Sequence, residues 1–188
     1  MSGQPLRDLP GPGTETTIRP CVPGDEEALA LLGAATFLET FAGILDGGDI
    51  LAHCRSQHAA AVYAGWLARD DADVWVAQTA VGAAPVGYAV LTPAALPVPD
   101  PQPDDLELKR IYLLHRFHGG GLGARLMQAA IDVARERGSR RLLLGVYAKN
   151  ERALAFYARC GFARLGERRF RVGANEYEDA VLGLPLHA

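Results

Sequence analysis

Four glycines within five residues, Gly119, Gly120, Gly121 and Gly123, stand where a strand-like run ends and a helix-like run begins in HRFHGGGLGARL, residues 115–126. Glycine lets a backbone bend where other residues cannot, and it lets a ligand approach the chain closely. The first amides of a helix have no internal partner, and the helix dipole places partial positive charge there. Strand, glycine turn and helix in that order form a phosphate-binding arrangement. A plain connecting turn is the alternative. A second group with ligating chemistry is His53, Cys54 and His58, of which Cys54 and His58 are four apart and share a helix face. Zinc wants further ligands in tetrahedral array. None is apparent, so no metal is expected and packing is the better account.

Two phosphate-loop types fit poorly. A P-loop ends in Gly-Lys-Ser or Gly-Lys-Thr, where this chain has Gly123-Ala124-Arg125. Gly119, Gly121 and Ala124 satisfy the dinucleotide pattern G-x-G-x-x-A. That pattern also wants an acidic residue about 20 positions on, at the end of the next strand. The next strand ends GVYAKN without one, and the strand before the turn, LELKRIY, alternates with charges. A dinucleotide-binding oxidoreductase fragment is therefore the weaker reading.

The elements that must position the turn can be read along the chain. Residues 1–15 are rich in Gly and Pro and are expected to be a disordered tail. TTIRP reads as a short strand, and Asp25 as the N-cap of a helix running to about Phe41, with Glu26 and Glu27 in its first turn. A second helical region covers roughly residues 48–69. VWVAQTA and PVGYAVLT form a hairpin. PAALPVPDPQPDD is a loop, because proline continues neither a ladder nor a helix interior. LELKRIYLL (106–114) is a strand. In GLGARLMQAAIDVARERG, Leu122, Leu126, Ala129 or Ala130, and Val133 recur at helical spacing, with Gly138 as C′ residue. RRLLLGVYA (140–148) is a buried-type strand. NERALAFYARCGF is a short helix capped by Asn150 and stopped at Gly161, and two final strands follow. The order β-α-α-β-β-β-α-β-α-β-β is that of an α/β chain with a mixed sheet, expected as one domain over residues 16–188.

Composition narrows the function classes. A chain of 188 residues, 49% hydrophobic, buries a real core. A formal net charge of −3 argues against a generic nucleic-acid binder. Cys21, Cys54 and Cys160 are too few and scattered for a disulfide framework and read as reduced thiols of a cytoplasmic protein. The first residues carry no apolar signal segment, and no apolar run approaches the roughly 18 residues needed to span a membrane.

The glycine stretch resembles the pyrophosphate loop of the GNAT superfamily, the acyl-CoA-dependent N-acetyltransferases. That loop reads Arg or Gln, two residues, Gly, one residue, then Gly or Ala. This chain has His118, then Gly121 and Gly123 at those places. His118 is a departure at a position that acts mostly through its backbone amide. NERALAFYARCGF also resembles the second motif of the superfamily, N-x-x-A-x-x-F-Y-x-x-x-G-F, at every named position, one helix and one strand downstream. Together the two motifs cover about residues 106–163.

The resemblance implies a GNAT fold, a mixed central sheet of about six to seven strands with helices on both faces. It implies acetyl transfer from acetyl-CoA to a primary amine by direct attack, with no metal. The loop amides from His118 through Gly119, Gly120, Gly121, Leu122 and Gly123 to Ala124 would bind the pyrophosphate, with Arg125 a helper. The preceding strand would splay from its neighbour, so that the pantetheine arm pairs with the backbone of Ile111, Tyr112 and Leu113. An amide near Leu113 would face the thioester oxygen. Tyr157 would be the general acid to the leaving thiolate: the reference values of a phenol, near 10, and a thiol, near 8.5, make transfer feasible in the right geometry. Asn150, two helical turns earlier, would contact the cofactor arm as well as cap the helix. Glu107 would be the base, as at the matching position of some histone-acetylating members. Its alternative is an exposed strand charge paired with Lys109 or Arg110.

For the acceptor, ATFLETFAGIL (35–45) and VGANEYEDAVLGLPL resemble the branch that includes bacterial spermidine/spermine N-acetyltransferases. A polyamine wants carboxylates, and Glu39, Asp104, Asp105, Glu107, Glu176 and Glu178 are available by type. A protein amine, an amino acid or an aminoglycoside are the other acceptors. A non-catalytic acyl-CoA-binding module is the alternative outside enzymes. Homodimers are common in the superfamily.

Overall fold

The computed structural model describes residues 15–173 and 175–186. Apart from Glu15, the expected N-terminal tail lies outside them.

Seven strands form one sheet in the order β1-β2-β3-β4-β5-β7-β6. They are β1 (Thr16–Pro20), β2 (Asp73–Thr79), β3 (Pro85–Pro93), β4 (Leu106–Leu113), β5 (Arg141–Tyr147), β6 (Ala163–Val172) and β7 (Asn175–Pro185). Every neighbouring pair is antiparallel except β4 and β5. The short turn in GAA closes the expected hairpin of β2 and β3. The β4–β5 pair is parallel because a crossover helix, α4 (Leu122–Glu136), joins the two strands.

The α4 stripe of Leu122, Leu126, Met127, Ala130, Ile131 and Ala134 is buried. It packs on the inward side chains of β3, β4 and β5, among them Leu108, Leu142 and Leu144. The opposite face carries α1 (Glu26–Phe41) and α3 (Ala60–Leu67), where Leu29, Leu32 and Tyr63 meet Val74, Tyr88 and Val90. Helices therefore cover both faces, and β5 is buried on each, as its near-continuous apolar run requires. The proline-rich segment packs on the same sheet: Leu96 sits with Leu143 and Val181.

Two local readings change, and a third holds. The second helical region is two helices, α2 (Gly47–Gln57) and α3, separated at His58 and Ala59. No glycine or proline marks this break. It places the buried His58 ring against Tyr63 and Phe37. Asp25 stands at the start of α1 but makes no side-chain cap. Its carboxylate accepts from the Arg19 guanidinium at 2.7 and 2.8 Å and from the Val22 amide at 2.9 Å, so it ties β1 to the turn instead. Asn150 does cap α5 (Glu151–Arg159), accepting from the Ala153 amide at 3.1 Å.

Candidate active site

β4 and β5 pair only at Leu106 with Leu142 and Glu107 with Leu143. Beyond Glu107 the two strands part, while β4 stays bonded to β3 as far as Leu113. A wedge opens in the middle of the sheet, and Ile111, Tyr112 and Leu113 lie along its β4 side. An irregularity in β4 sets which side chains face which way. Val90 pairs with Arg110 and Leu91 with Leu108, which leaves Lys109 as an extra residue in a β-bulge. Strict alternation would put Leu108 and Arg110 on one face. The bulge puts Leu108 and Ile111 in the α4-side core and brings Glu107, Arg110 and Tyr112 to the opposite face.

The glycine turn follows at the open end of β4. A 3-10 turn over His115–Phe117 leads into it. Gly119 and Gly121 adopt φ of 84° and 80°, left-handed values that other residues take only at a cost. A side chain at Gly119, Gly120 or Gly121 would meet nothing within 4 Å, so the loop presents bare backbone to open space. Gly121 starts α4 with no side-chain cap. Among the described residues, the amides from Gly119 to Ala124 have no backbone acceptor, the first such bond being Arg125 to Gly121. The amide of His118 differs from expectation, because it closes the 3-10 turn onto the His115 carbonyl at 3.1 Å. The His118 ring donates through Nε2 to the Leu113 carbonyl at 3.0 Å, and burial lowers its pKa. The Arg125 guanidinium reaches Thr16 on β1 rather than the loop.

Tyr157 lies on α5, against Phe156 and Phe162. Its ring is buried, and its hydroxyl has no hydrogen-bond partner among the described residues and is not sealed from space. Burial first, then the nearby Tyr112 and Cys160, push its pKa well above the usual phenol value. It therefore remains a protonated donor at any ordinary pH.

The acetyltransferase (GNAT) family matches residues 37–162, which span the wedge, the turn and α5. The chain belongs to the GNAT acetyltransferase family. An uncharacterized N-acetyltransferase of Mycobacterium tuberculosis strain H37Rv is 41% identical over 97 residues, 52% of this chain and 58% of that protein. This chain's match thus spans little more than half the length of that relative. N-alpha-acetyltransferase 30 of Schizosaccharomyces pombe is 36% identical over 52 residues, 28% of this chain and 35% of that protein. Among solved structures, the PaiA N-acetyltransferase of Thermoplasma acidophilum in complex with coenzyme A superposes with a TM-score of 0.71 at 19% identity, covering 91% of this chain and 99% of that one. At that identity the likeness is one of fold.

On the α1–α2 face of the wedge, this GNAT domain holds a cavity of about 160 Å³. Its apolar walls are Phe37, Phe41, Tyr147, Phe170 and Tyr177. Glu107 lies in it, buried rather than exposed, with Oε1 3.0 Å from Lys109 Nζ and Oε2 accepting from the Ala95 amide at 3.0 Å. Of the six carboxylates considered for a polyamine, only Glu107 lines this cavity. Glu39 accepts from the His115 amide at 2.8 Å, Asp105 pairs with Arg141, and Glu176 faces Arg169 at 3.7 Å.

Asp179 of β7 also lines the GNAT cavity, and sequence reasoning did not single it out. Its Oδ2 accepts from Arg168 Nε at 3.1 Å and Nη2 at 3.0 Å, and Oδ1 has no hydrogen-bond partner among the described residues. Burial raises its pKa against the opposing pull of Arg168. The signal available was β7 alternation, since Tyr177 and Asp179 are two apart and share a face. Gly145, opposite, leaves room for the Arg168 guanidinium, whose Nη2 would stand 2.8 Å from a Cβ there. His53 and His58 complete the cavity as ring packing: His53 stacks on Phe37 at 4.2 Å, and burial lowers both histidines, to about 4 and about 3.

Proposed function

We propose that the protein transfers the acetyl group of acetyl-CoA to a primary amine in a direct-attack reaction. The observation that supports this most is the parting of β4 from β5 just upstream of an uncapped glycine turn. The turn offers amides from Gly119 to Ala124 to a pyrophosphate. The β4 backbone at Ile111, Tyr112 and Leu113 offers donors and acceptors to the amide-bearing pantetheine arm, as a neighbouring strand would. An amide near Leu113 receives the charge that builds on the thioester oxygen.

The acceptor nitrogen attacks the thioester carbon, the carbon–sulfur bond breaks, and the sulfur leaves as a thiolate. Tyr157 donates a hydrogen bond to that sulfur and gives up its proton as negative charge collects there. Its raised pKa makes it a donor first and an acid second. Glu107 takes the proton that the acceptor ammonium must lose before its nitrogen can attack. Asp179, with a raised carboxyl, is the second group of that kind in the cavity. Asn150 holds the arm through the amide nitrogen that its capping role leaves unused.

The test is thiol release from acetyl-CoA with spermidine, spermine, a lysine peptide, amino acids and an aminoglycoside. Tyr157→Phe is expected to lower kcat about 100-fold and to leave the Kd for CoA unchanged. An unchanged kcat would remove Tyr157 from the reaction. Gly121→Ala is expected to do the reverse. It places a Cβ in the left-handed region at a cost of about 1 kcal/mol, turns the first α4 amides, and weakens CoA binding about tenfold by calorimetry. CoA bound equally well by that variant would remove the glycine turn from the cofactor site.

A further inference from the structure

Three cationic side chains and two carboxylates line the cavity. Lys109 is paired with Glu107, and Arg168 with Asp179. Arg110 has no carboxylate partner among the described residues. It is nevertheless held firmly. Nη1 donates to the Tyr63 hydroxyl at 2.8 Å and to His58 Nδ1 at 3.2 Å, and Nη2 donates to the Gln57 carbonyl at 2.6 Å. The guanidinium also lies 4.7 Å from the Trp66 ring centroid and 5.3 Å from that of Tyr63. All these partners are neutral. Arginine only donates, so His58 accepts at Nδ1 and carries its proton on Nε2. A guanidinium has five donors, and three are used. The remaining two, one on Nε and one on Nη2, are available to the oxygens of a carboxylate.

We propose that the acceptor is a small amino carboxylate whose carboxylate docks on Arg110 and whose amine lies toward Glu107 and Asp179. This rests on the acetyl-transfer reading above. The charge count supports it: a zwitterion brings an anion to the unpaired cation and an ammonium to the two acids. A polyamine brings only further positive charge beside Arg110, Lys109 and Arg168. The aromatic walls, Phe37, Phe41, Tyr147, Phe170 and Tyr177, suit an apolar body between the two charged ends. Arg110 is pre-organised for the task, because its contacts to Gln57, Tyr63 and Trp66 restrict its side chain before any ligand arrives.

Matched pairs test this. Thiol release from acetyl-CoA is compared for leucine and isoamylamine, and for phenylalanine and phenethylamine; within each pair only the carboxylate differs. The amino acid is expected to be preferred about 100-fold in kcat/KM, the worth of a charge-assisted bidentate contact. Arg110→Gln is expected to collapse that preference to near unity, and Arg110→Lys, which keeps the charge but loses the fork, to leave an intermediate ratio. Equal use of both members of a pair by the wild-type protein overturns the proposal without any variant. Calorimetry of N-acetylleucine against N-acetylisoamylamine reads the same carboxylate contact independently of turnover, and equal affinities overturn it too. No thiol release with any amine, together with no CoA binding, would instead overturn the acetyl-transfer reading.

Discussion

Gly33→Ala is expected to destabilise the protein by about 3 kcal/mol, although Ala is the better helix former by about 1 kcal/mol. Gly33 is buried in the middle of α1. A Cβ there would lie 2.0 Å from the Tyr63 hydroxyl and 2.3 Å from His58 Nδ1. Neither atom can move freely. Tyr63 is fully buried, and its hydroxyl accepts from Arg110, donates to His58 Nδ1 at 2.8 Å and lies 3.2 Å from the Tyr88 hydroxyl. Relief would require α1 to lift from the sheet or the Arg110, His58 and Tyr63 group to come apart. Local propensity and tertiary packing thus predict opposite signs, and urea denaturation of the single variant decides between them. A stabilised variant would mean that the helix does not approach Tyr63 as closely as described.

Stability is also expected to fall by roughly 2–5 kcal/mol between pH 6.5 and 4.5. In the unfolded chain His53 and His58 titrate near 6.5. In the folded protein burial, with a contribution from the Arg110 charge, lowers them to about 4 and about 3. Between those values and 6.5 the unfolded chain binds more protons than the folded one, so acid favours unfolding through that window. Each group contributes at most about 1.4 kcal/mol per pH unit. Asp179, raised by burial, works in the opposite direction above pH 3.8 and trims the slope. Urea midpoints at pH 7.0 and 4.5 measure the effect. A flat profile, or an NMR titration of His58 with a midpoint above 6, would contradict it.

The parts of the site legible in the sequence are those whose chemistry is local. Gly119 and Gly121 need left-handed backbone, and Asn150 caps the turn that it begins, so each requirement is written within a few residues. Tyr157 is singled out only by the resemblance of NERALAFYARCGF to the GNAT motif, and its role is a proposal. What escaped depends on distant partners. The Lys109 bulge is a register fact of β4 against β3, and nothing within LELKRIY marks it. Arg110 is defined by Gln57, His58 and Tyr63, which lie 53, 52 and 47 residues away. Gly33 looks like a weak point in a helix until Tyr63 is placed behind it. The break between α2 and α3 carries no breaker residue because the burial of His58 makes it.

The wedge between β4 and β5 also bears on pairing between chains. Strand rims with unpaired backbone invite pairing with other chains, and outer strands are usually blunted by charge, proline or cover. Here two such rims face each other within the sheet, walled by α1 and α4 on either side. A foreign strand would have to displace those helices to pair there, whereas the thin pantetheine arm proposed above would not. The fold thus holds unpaired backbone within the sheet without exposing a template for aggregation.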